Sequence, residues 1–391
     1  MINIQKVIAI ILLTGQVIMS QNLKELVSQF REAEAPDKRL AIFNVNAELI
    51  DGKVILTGEV SDSKFKEKLL ESIKFNLTID IEDKIIVLPE EELGNKTYAL
   101  VKLSVCNIRS KPEHSAELST QSTMGTPLKV LKKQGSWYLV QTPDEYLGWV
   151  DSEGIYRFTK EELREWNSKE KIIFTDLYGL IYADKTQKET ISDVVATNLM
   201  ILEKEERNFY KIKLPNGNTG YVKKKQAKKF SKWLEDLTYN PESVIESAKK
   251  FMGFPYLWGG TSIKGIDCSG FMRTIFLING LILPRDADQQ SKVGVEVPLD
   301  DDLSQLKKGD LIFFGKKADE LGPEKITHVG IYIGNKLLLH SSGYVKIDTF
   351  DVNNPEFNNE LFSRIVKVKR IFGQPEVVEN LKLTNNKFYQ Q

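Results

Sequence analysis

The chain of 391 residues is too long for a single hydrophobic core, so its length predicts two to four domains. Its 41% hydrophobic and 28% charged residues are typical of globular proteins. The 54 basic and 54 acidic side chains argue against nucleic acid as the main partner, since phosphate binding needs a basic surplus or a basic face. Two cysteines are too few for a disulfide-stapled fold, and with three histidines they lack the close spacing of a zinc site, so no metal or cofactor is expected.

The first 20 residues have the pattern of a signal peptide. Lys6 precedes an apolar stretch over residues 7–13, and small residues near Ser20 suit a cleavage site. An uncleaved anchor or a buried first helix are the alternatives. No cysteine follows the apolar stretch, which disfavours a lipid anchor. The protein is therefore expected to be exported, periplasmic or secreted, with no stable membrane anchor after signal cleavage.

Residues 21–95 predict a small N-terminal α+β domain. Helical periodicity over 22–34 is followed by two alternating strands joined at Asp51-Gly52, a strong hairpin signal. A second helix is predicted over 64–75, and the run KIIVLP closes the domain with a strand. Nothing in this pattern indicates a function.

Two small β-barrels are predicted next, over 96–160 and 161–232. Short strand-like runs lie at close spacing between polar, Gly and Pro breaks. The segments WYLVQTPDEYLGWV and FYKIKLPNGNTGYV share an aromatic strand, a turn and a closing Gly-aromatic-Val, which indicates an internal repeat. Both barrels resemble bacterial SH3-like (SH3b) domains.

The domain over 233–372 is predicted to have an α+β architecture. Its first helix begins at Pro241 with Asn240 as the cap. A Gly-rich turn then leads to a second helix that starts at Cys268. The runs DLIFFG, HVGIYIG and LLLHSSG are strand-like and imply an antiparallel sheet. Residues 373–391 are predicted to form a C-terminal tail or a strap over another domain.

Cys268 is a candidate nucleophile. It stands in the first turn of a helix, where unpaired N–H groups and the positive end of the helix dipole favour a thiolate. A buried apolar residue, half of a disulfide or a metal ligand are the alternatives. The other cysteine, Cys106, lies in a different predicted domain, so the two are expected to stay unlinked, with Cys106 as a small buried hydrophobe.

Two of the three histidines are candidate partners for this thiol. His114 lies in a polar loop and is expected to be exposed, whereas His328 and His340 are twelve residues apart around a turn at Gly334-Asn335. If the loop of that hairpin has an odd number of residues or contains a β-bulge, both imidazoles project from one face of the sheet. A strict two-residue loop would place them on opposite faces. Each histidine alone is equally well explained as an ordinary strand residue.

Six motifs of the last domain stand in the order expected of the NlpC/P60 family of cysteine peptidases, which the chain resembles over residues 240–372. The motifs are YLWGG, DCSGF, LPRDADQQ, KKGDLIFF, THVGIYIG and LLLHSSG. The resemblance implies a papain-like α+β fold and cleavage of peptide bonds in bacterial cell-wall peptides. It implies Cys268 as the nucleophile, His328 as the base and His340 as the residue that orients the base. Backbone N–H groups at the helix start would then be oxyanion donors.

Two SH3b domains ahead of such a domain resemble the γ-D-glutamyl-L-diamino acid endopeptidases of this family. The resemblance implies cleavage between D-Glu and diaminopimelate or Lys in cell-wall peptides with a free N-terminal L-Ala, with the first SH3b domain over the cleft. The residues then expected to bind substrate are Glu117 and Tyr146 in the first barrel and Tyr256, Trp258, Asp267, Ser269, Arg285 and Asp286 in the last domain. The Arg285 fork would suit the α-carboxylate of D-Glu. A surface loop around Arg285 and a structural turn around Trp258 are the alternatives.

Two other functions stay open at the level of sequence. SH3b domains suit the anchoring of a hydrolase of intact peptidoglycan, in which case the first barrel would stand away from Cys268. A non-enzymatic wall-binding protein with a decayed catalytic domain belongs to a different class, and the retention of Cys268, His328 and His340 argues against it. In each case the partner is a cell-wall peptide or the wall itself, and a monomer is expected.

Overall fold

The computed structural model describes residues 20–77, 79–300 and 302–390. Nearly all of the predicted signal peptide therefore lies outside the described residues. The chain forms two compact units, one from the described residues up to Gly94 with Leu131–Lys133 and one from the remaining described residues. None of the helices within these ranges is long and apolar enough to cross a membrane.

The N-terminal unit packs two helices on a three-stranded sheet. Its elements are α1 (20–34), β1 (Phe43–Ile50), β2 (Lys53–Val60), α2 (Ser63–Asn76) and β3 (Asp80–Val87). Asp51 and Gly52 have positive φ angles of 48° and 77°, so the predicted hairpin has the twist that two-residue loops favour. From β2, α2 crosses to β3, which pairs parallel to β2. Leu23, Leu56 and Leu69 are buried in the shared core.

Two seven-stranded sheets follow, called the first and the second barrel below. The first contains β4 (Tyr98–Val101), β5 (Val105–Arg109), β6 (Leu118–Thr123), β7 (Pro127–Gln134), β8 (Trp137–Gln141), β9 (Leu147–Asp151) and β10 (Ile155–Phe158). After helix α3 (Lys160–Ser168), the second contains β11 (Lys171–Phe174), β12 (Tyr178–Tyr182), β13 (Thr190–Val195), β14 (Leu199–Glu205), β15 (Phe209–Lys213), β16 (Thr219–Lys223) and β17 (Ala227–Lys229). Helix α4 (Phe230–Glu235) comes next.

The two barrels have the same strand order. It is β10-β4-β7-β8-β9-β5-β6 in the first and β17-β11-β14-β15-β16-β12-β13 in the second, which correspond strand for strand. A short 3-10 helix precedes the last strand of each, at Ser152–Gly154 and Lys224–Gln226. The predicted internal repeat is therefore confirmed, and the two aligned segments are the equivalent hairpins β8–β9 and β15–β16.

The C-terminal domain packs helices against a six-stranded antiparallel sheet of order β20-β25-β21-β22-β23-β24. Its helices are α5 (Pro241–Lys249), α6 (Cys268–Ile278), α7 (Ala287–Gln290), α8 (Asn359–Ser363) and α9 (Pro375–Leu381). Its strands are the small hairpin β18 (Thr261–Ser262) and β19 (Gly265–Ile266), then β20 (Val295–Val297), β21 (Leu311–Lys316), β22 (Lys325–Gly334), β23 (Leu337–Ser342), β24 (Tyr344–Thr349) and β25 (Ile365–Arg370). The predicted α+β architecture is confirmed. The strands β20, β24 and β25 escape the sequence prediction because β20 is short and charged residues alternate along the other two.

Helix α6 lies at the centre of the core of this domain. Phe271, Ile275 and Phe276 on α6 are fully buried, and they share one apolar cluster with Phe313 of the sheet. Each such side chain contributes roughly 1.5–3 kcal/mol when it is removed from water. The helix that begins at Cys268 is thereby held firmly against the sheet.

Residues 383–390, called the strap below, run from the C-terminal domain to the barrels. Where the strap begins, the Leu383 N–H donates to the Gly280 carbonyl at 2.9 Å, just after α6. Near its other end, Tyr389 packs in a cluster that contains Leu199 of the second barrel. Of the two arrangements expected for this part of the chain, the structure has the strap.

Candidate active site

Cys268 is the first residue of α6, and the residue before it caps the helix. The Asp267 carboxylate accepts the Gly270 N–H at 2.7 Å and the Gly259 N–H at 2.9 Å, which ties the Gly-rich turn to the helix start. The two segments approach so closely that a Cβ on Gly270 would lie 2.1 Å from the Gly260 carbonyl oxygen. The predicted nucleophile therefore stands on a rigid helix N-terminus.

The Cys268 thiol is neutral at rest. Burial raises its pKa to about 12, and the Asp267 charge raises it as well, because only 7% of Cys268 is exposed. The backbone N–H groups of Val329 and Ser269 act in the opposite direction, since they donate to the sulfur. Burial therefore acts against the thiolate that the helix start favours. The two N–H groups stabilise the thiolate once the proton has left.

A β-bulge brings His328 and His340 together. The two-residue loop 335–336 joins β22 to β23, and with a strict register it would separate the imidazoles. The register shifts, however, between Tyr332 and Gly334, which is the bulge that the sequence left as a possibility. As a result, His328 Nε2 lies 2.8 Å from His340 Nδ1.

Asp348 on β24 completes a hydrogen-bonded row that was not predicted from the sequence. Its Oδ2 accepts the His340 Nε2–H at 3.0 Å and the Asn358 Nδ2–H at 2.8 Å. The hydrogen bond from His340 is the main cause that lowers the pKa of Asp348, to about 2, so the carboxylate is ionised. His340 therefore holds its proton on Nε2 and accepts at Nδ1 from His328, which leaves Nδ1 of His328 as the basic nitrogen.

A signal for Asp348 is nevertheless present in the sequence. In the run YVKIDT polar and apolar residues alternate, as they do in a half-exposed strand. An acidic residue eight positions after His340 then lies on the strand next to it. Without that strand assignment, the carboxylate looks like a loop residue.

His328 is a neutral base. Burial lowers its pKa to about 3, and the Arg364 charge lowers it further, whereas the Asp348 carboxylate raises it. Thiol and imidazole are therefore both uncharged in the resting site. The proton moves from sulfur to nitrogen only as the attack on a substrate begins.

Arg285 lies beneath the site rather than in it. Its side chain is 2% exposed, and its two terminal nitrogens donate to the Asp267 carboxylate at 3.2 and 2.5 Å. One of them also donates to the Ser269 hydroxyl at 3.0 Å. The guanidinium fork predicted to hold a substrate carboxylate is thus already engaged by a carboxylate of the protein. Asp267 and Ser269 are buried as well, and the three residues together hold the helix start.

Four of the predicted substrate-binding residues join the first barrel to the C-terminal domain. The Tyr146 hydroxyl donates to Asp286 Oδ2 at 3.0 Å, and Trp258 Nε1 donates to Glu117 Oε1 at 2.6 Å. Asp286 in turn lies 3.9 Å from the Arg285 guanidinium. Hydrogen bonds and ion pairs therefore connect Tyr146 of the first barrel, through Asp286 and Arg285, to Asp267, the residue before the nucleophile.

Tyr256 lies beside the nucleophile in the C-terminal domain. The remaining histidine and cysteine, His114 and Cys106, lie in the first barrel. Burial raises the pKa of Tyr256, and its neighbours Cys268 and Asp267 raise it further. The His114 side chain is 79% exposed, as expected. Cys106 is buried and unpaired, as expected, and Cys268 is unpaired too.

The row of side chains has the parts of nucleophilic catalysis. It supplies a thiol, a basic imidazole, a second imidazole and a carboxylate that fix the tautomer, and backbone N–H groups at the helix start. Within residues 20–77, 79–300 and 302–390, no group of three or more His, Cys, Asp or Glu side chains is arranged to hold a metal ion.

Comparison with known proteins identifies the family. The gamma-D-glutamyl-L-lysine dipeptidyl-peptidase of Bacillus subtilis (strain 168) is 32% identical over 266 residues, which cover 66% of this chain and 82% of the relative. A protein of the same name from Bacillus cereus (strain ATCC 10987 / NRS 248) is 30% identical over 253 residues, 62% of this chain and 73% of the relative. The model of the NlpC/P60 family matches residues 253–366. This chain belongs to the NlpC/P60 family. It is a cysteine peptidase of that family.

The other matches of this NlpC/P60 peptidase fall on the two barrels and on the whole fold. The bacterial SH3 domain model matches residues 104–156, and the GW (Gly-Tryp) dipeptide domain model matches residues 162–228. The crystal structure of an NlpC/P60 family protein from Bacillus cereus ATCC 10987 has a TM-score of 0.58 at 24% identity, over 70% of this chain and 99% of that one. An NlpC/P60 endopeptidase from Photobacterium damselae subsp. piscicida has a TM-score of 0.54 at 16% identity, over 72% of both chains. The two structures share the fold of this chain.

Proposed function

We propose that this NlpC/P60 peptidase hydrolyses the bond between the γ-carboxyl group of D-Glu and a diamino acid in cell-wall peptides with a free N-terminal L-Ala. The observation that carries the proposal is the pair of contacts from the first barrel, Tyr146 to Asp286 and Glu117 to Trp258. They place the carboxylates of Glu117 and Asp286 where the first barrel meets the C-terminal domain. The names of the two Bacillus relatives, which specify a γ-D-glutamyl-L-lysine bond and a dipeptidyl unit, support the same choice.

The N-terminal amine of the peptide would be bound by these carboxylates. Glu117 and Asp286 supply negative charge, and the Tyr146 hydroxyl supplies a further acceptor, so the ammonium group gains charge-assisted hydrogen bonds. The amine is one dipeptide unit away from the scissile carbonyl. One guanidinium, that of Arg285, separates Asp286 from the carboxylate that precedes Cys268, which suits so short a separation.

Catalysis begins with transfer of the Cys268 proton to Nδ1 of His328. The thiolate attacks the γ-carbonyl carbon of D-Glu, and the carbonyl oxygen becomes an oxyanion. As this intermediate collapses, the C–N bond breaks and the His328 imidazolium gives its proton to the leaving α-amine of the diamino acid. Water, deprotonated by His328, then hydrolyses the thioester, which releases L-Ala-γ-D-Glu and restores the thiol.

His340 and Asp348 act in this mechanism as positioning residues. They hold the His328 ring in the tautomer that faces the thiol with its basic nitrogen, and the Asp348 charge stabilises the imidazolium through His340. Arg285 has a comparable role at the helix start, because it fixes the Asp267 cap.

The proposed setting follows from the substrate. Cell-wall peptides are the partners, and the enzyme acts outside the cytoplasm, in the periplasm or secreted, as a monomer. The signal-peptide pattern of the first 20 residues supports this location.

A defined peptide tests the proposal directly. Wild-type enzyme should release L-Ala-γ-D-Glu from L-Ala-γ-D-Glu-L-Lys or from its diaminopimelate counterpart, as measured by mass spectrometry. Cys268→Ala should lower kcat by a factor on the order of 10³ or more, because the nucleophile is lost. Cys106→Ala, which removes the other buried thiol, is the matched control and should keep kcat. Hydrolysis retained by Cys268→Ala would overturn the nucleophile, and a different product would overturn the bond.

Intact peptidoglycan distinguishes the proposal from the second candidate function, a wall-anchored hydrolase. In the intact wall the L-Ala amine is blocked by its link to the glycan, so the first barrel, which contacts Asp286 and Trp258, should exclude it. We expect fast release from free muropeptides, slow release from the N-acetylated peptide and no release from purified sacculi. Comparable rates on all three substrates would favour the wall hydrolase.

A further inference from the structure

The turn between β8 and β9 carries Tyr146 to its contact with Asp286. This segment, residues 142–146, is called the Tyr146 turn below. The Thr142 N–H donates to the Tyr146 carbonyl at 3.0 Å, and the Glu145 N–H donates to the Thr142 carbonyl at 2.8 Å. Because these hydrogen bonds close the turn on itself, displacing one part of it moves Tyr146 and its contact with Asp286.

Helix α6 holds the Tyr146 turn from one side. Arg273 Nε and Nη2 donate to the two carboxylate oxygens of Asp144 at 2.9 and 3.0 Å. The Arg273 side chain is 8% exposed and that of Asp144 is 1% exposed, so the ion pair is shielded from water. Arg273 stands on the helix that begins with Cys268. The nucleophile and the anchor of the turn therefore belong to one rigid element.

The strap holds the Tyr146 turn from the other side. Asn386 Nδ2 donates to the Pro143 carbonyl at 2.8 Å, and Lys387 Nζ lies 2.6 Å from the Glu145 carboxylate. Since the strap is itself bonded to the end of α6 through Leu383, it links the catalytic domain to the turn a second time.

We propose that Arg273 and the strap are specificity-determining elements, which select peptides with a free N-terminus by holding Tyr146 at Asp286. The inference rests on the proposed function, since it concerns the same substrate amine. Neither element touches the thiol or the histidine row. Their loss therefore weakens binding of the amine and leaves the chemical step intact.

The size of the effect follows from the geometry of the amine site. Three groups from two domains, Glu117, Tyr146 and Asp286, have to meet one ammonium group. Loss of a hydrogen bond to a charged group weakens binding on the order of 10-fold or more, and these variants displace Tyr146 without removing it. The Lys387–Glu145 pair is more than half exposed and weak by itself, so we expect the strap to act mainly through Asn386 and the packing of Tyr389.

Two variants of the full chain test the inference. One is the double change Asn386→Ala with Lys387→Ala, and the other is Arg273→Lys, which keeps the charge but loses the fork. The measurement is kcat and KM for L-Ala-γ-D-Glu-L-Lys and for its N-acetylated form. In both variants the ratio of kcat/KM for the free peptide to that for the acetylated peptide should fall about 10-fold. KM for the free peptide should rise, and kcat should stay within about 3-fold.

Lys382→Ala is the matched control. Lys382 lies between α9 and the strap, but its ion pair is with Glu379 on α9 and not with the Tyr146 turn. It should keep the wild-type ratio. Alkylation of Cys268 by iodoacetamide should proceed at the wild-type rate in the strap variant, which separates loss of selection from damage to the nucleophile.

Each outcome decides between the two claims. A wild-type enzyme that does not distinguish free from acetylated peptide overturns the proposed recognition of the amine, and this inference with it. A wild-type enzyme that does distinguish them, with strap and Arg273→Lys variants that keep the ratio, overturns the inference alone. If Arg273→Lys fails to fold, the strap variant decides.

Discussion

The two barrels contain the same turn with different neighbours. In the first barrel, Thr142 donates its N–H to the Tyr146 carbonyl at 3.0 Å, and Glu145 has a φ of 64°. In the second, Leu214 donates to the Asn218 carbonyl at 2.7 Å, and Gly217, the counterpart of Glu145, has a φ of 90°. The two turns thus share the same closing hydrogen bond and a positive φ at the equivalent residue.

The side chains of the two turns have diverged. The Tyr146 turn binds Arg273, the strap and Asp286. In the equivalent turn, residues 214–217 line a groove beside α3, and the Asn216 side chain accepts the Asn218 N–H of its own turn at 3.2 Å. A duplicated barrel therefore provides a place for a substrate contact, and the side chains on that place decide whether it is used.

The largest effect is expected from the buried ion pair. Asp144→Ala leaves the Arg273 charge buried without its partner, so it should lower the free energy of unfolding by about 3–5 kcal/mol. Asn216→Ala at the equivalent position should cost at most about 1 kcal/mol, because the side chain is exposed. Urea unfolding of both variants measures the difference. Equal losses would mean that the two turns differ less than their contacts indicate.

The next effect concerns activity. Glu117→Gln and Tyr146→Phe should each lower kcat/KM for the free peptide about 10- to 100-fold. Glu117→Gln removes the charge that strengthens its hydrogen bond to the amine, and Tyr146→Phe removes an acceptor, and a hydrogen bond to a charged group is worth about 1.5–3 kcal/mol. Asn218→Ala, at the position that corresponds to Tyr146, should leave kcat/KM unchanged. Steady-state kinetics on the free peptide decides this. A loss caused by Asn218→Ala would place the second barrel in substrate selection as well.

A pH profile isolates the contribution of the first barrel. The substrate amine has a pKa of about 8. kcat/KM for the free peptide should therefore fall as the pH rises through 8, whereas the acetylated peptide should show no such decline. On the acid side, burial holds the pKa of His328 at about 3, so the base stays neutral and both peptides should react at constant rates from about pH 7 down to about pH 5.

The same histidine predicts how stability depends on pH. The unfolded imidazole binds a proton below about pH 6.5, whereas the folded one does so only near pH 3. The free energy of unfolding should therefore fall as the pH is lowered from about 6.5 towards 3. Replacement of His328 by Gln should flatten this dependence, and an unchanged slope would contradict the assignment of the buried neutral base.

The smallest effect is expected at the positive-φ residue. Gly217→Ala should destabilise the second barrel by about 1 kcal/mol, because only glycine adopts that conformation without strain. Glu145→Gly should change stability by less than about 0.5 kcal/mol, since relief of strain offsets the lost pair with Lys387 and the added freedom of the unfolded chain. Thermal unfolding measures both, and a large loss from Glu145→Gly would show that the exposed pair holds the turn.

Local patterns predicted much of the fold. The turn at Asp51-Gly52, the cap at Asn240 and the repeat of β8–β9 in β15–β16 are all encoded over a few residues, and the structure has each of them. The strands β20, β24 and β25 were missed because their apolar residues are too few or too interrupted by lysine to form a periodic signal. Such strands are defined by the neighbours they pair with, which a local pattern does not contain.

The candidate site was likewise predictable only where it depends on local features of the sequence. The helix start at Cys268 and the spacing of His328 and His340 are local features, but the bulge that unites the imidazoles depends on pairing across the hairpin. The hydrogen bond of Asp348 to His340 and the inward orientation of the Arg285 side chain depend on tertiary contacts, and neither was predicted. For the same reason the effect of burial on the pKa of the thiol was not predicted, since helix position is read from sequence and desolvation is not.

The position of the strap in the chain has a consequence for the order of events during synthesis. The barrels, the nucleophile and the histidine row all precede residue 383, so translation or export delivers them first. A chain that is complete up to the end of β25 already holds the thiol, the imidazoles and Asp348, but its Tyr146 turn still lacks one of two supports. Under the proposal above, such a chain has the groups for peptide hydrolysis before it selects peptides with a free N-terminus.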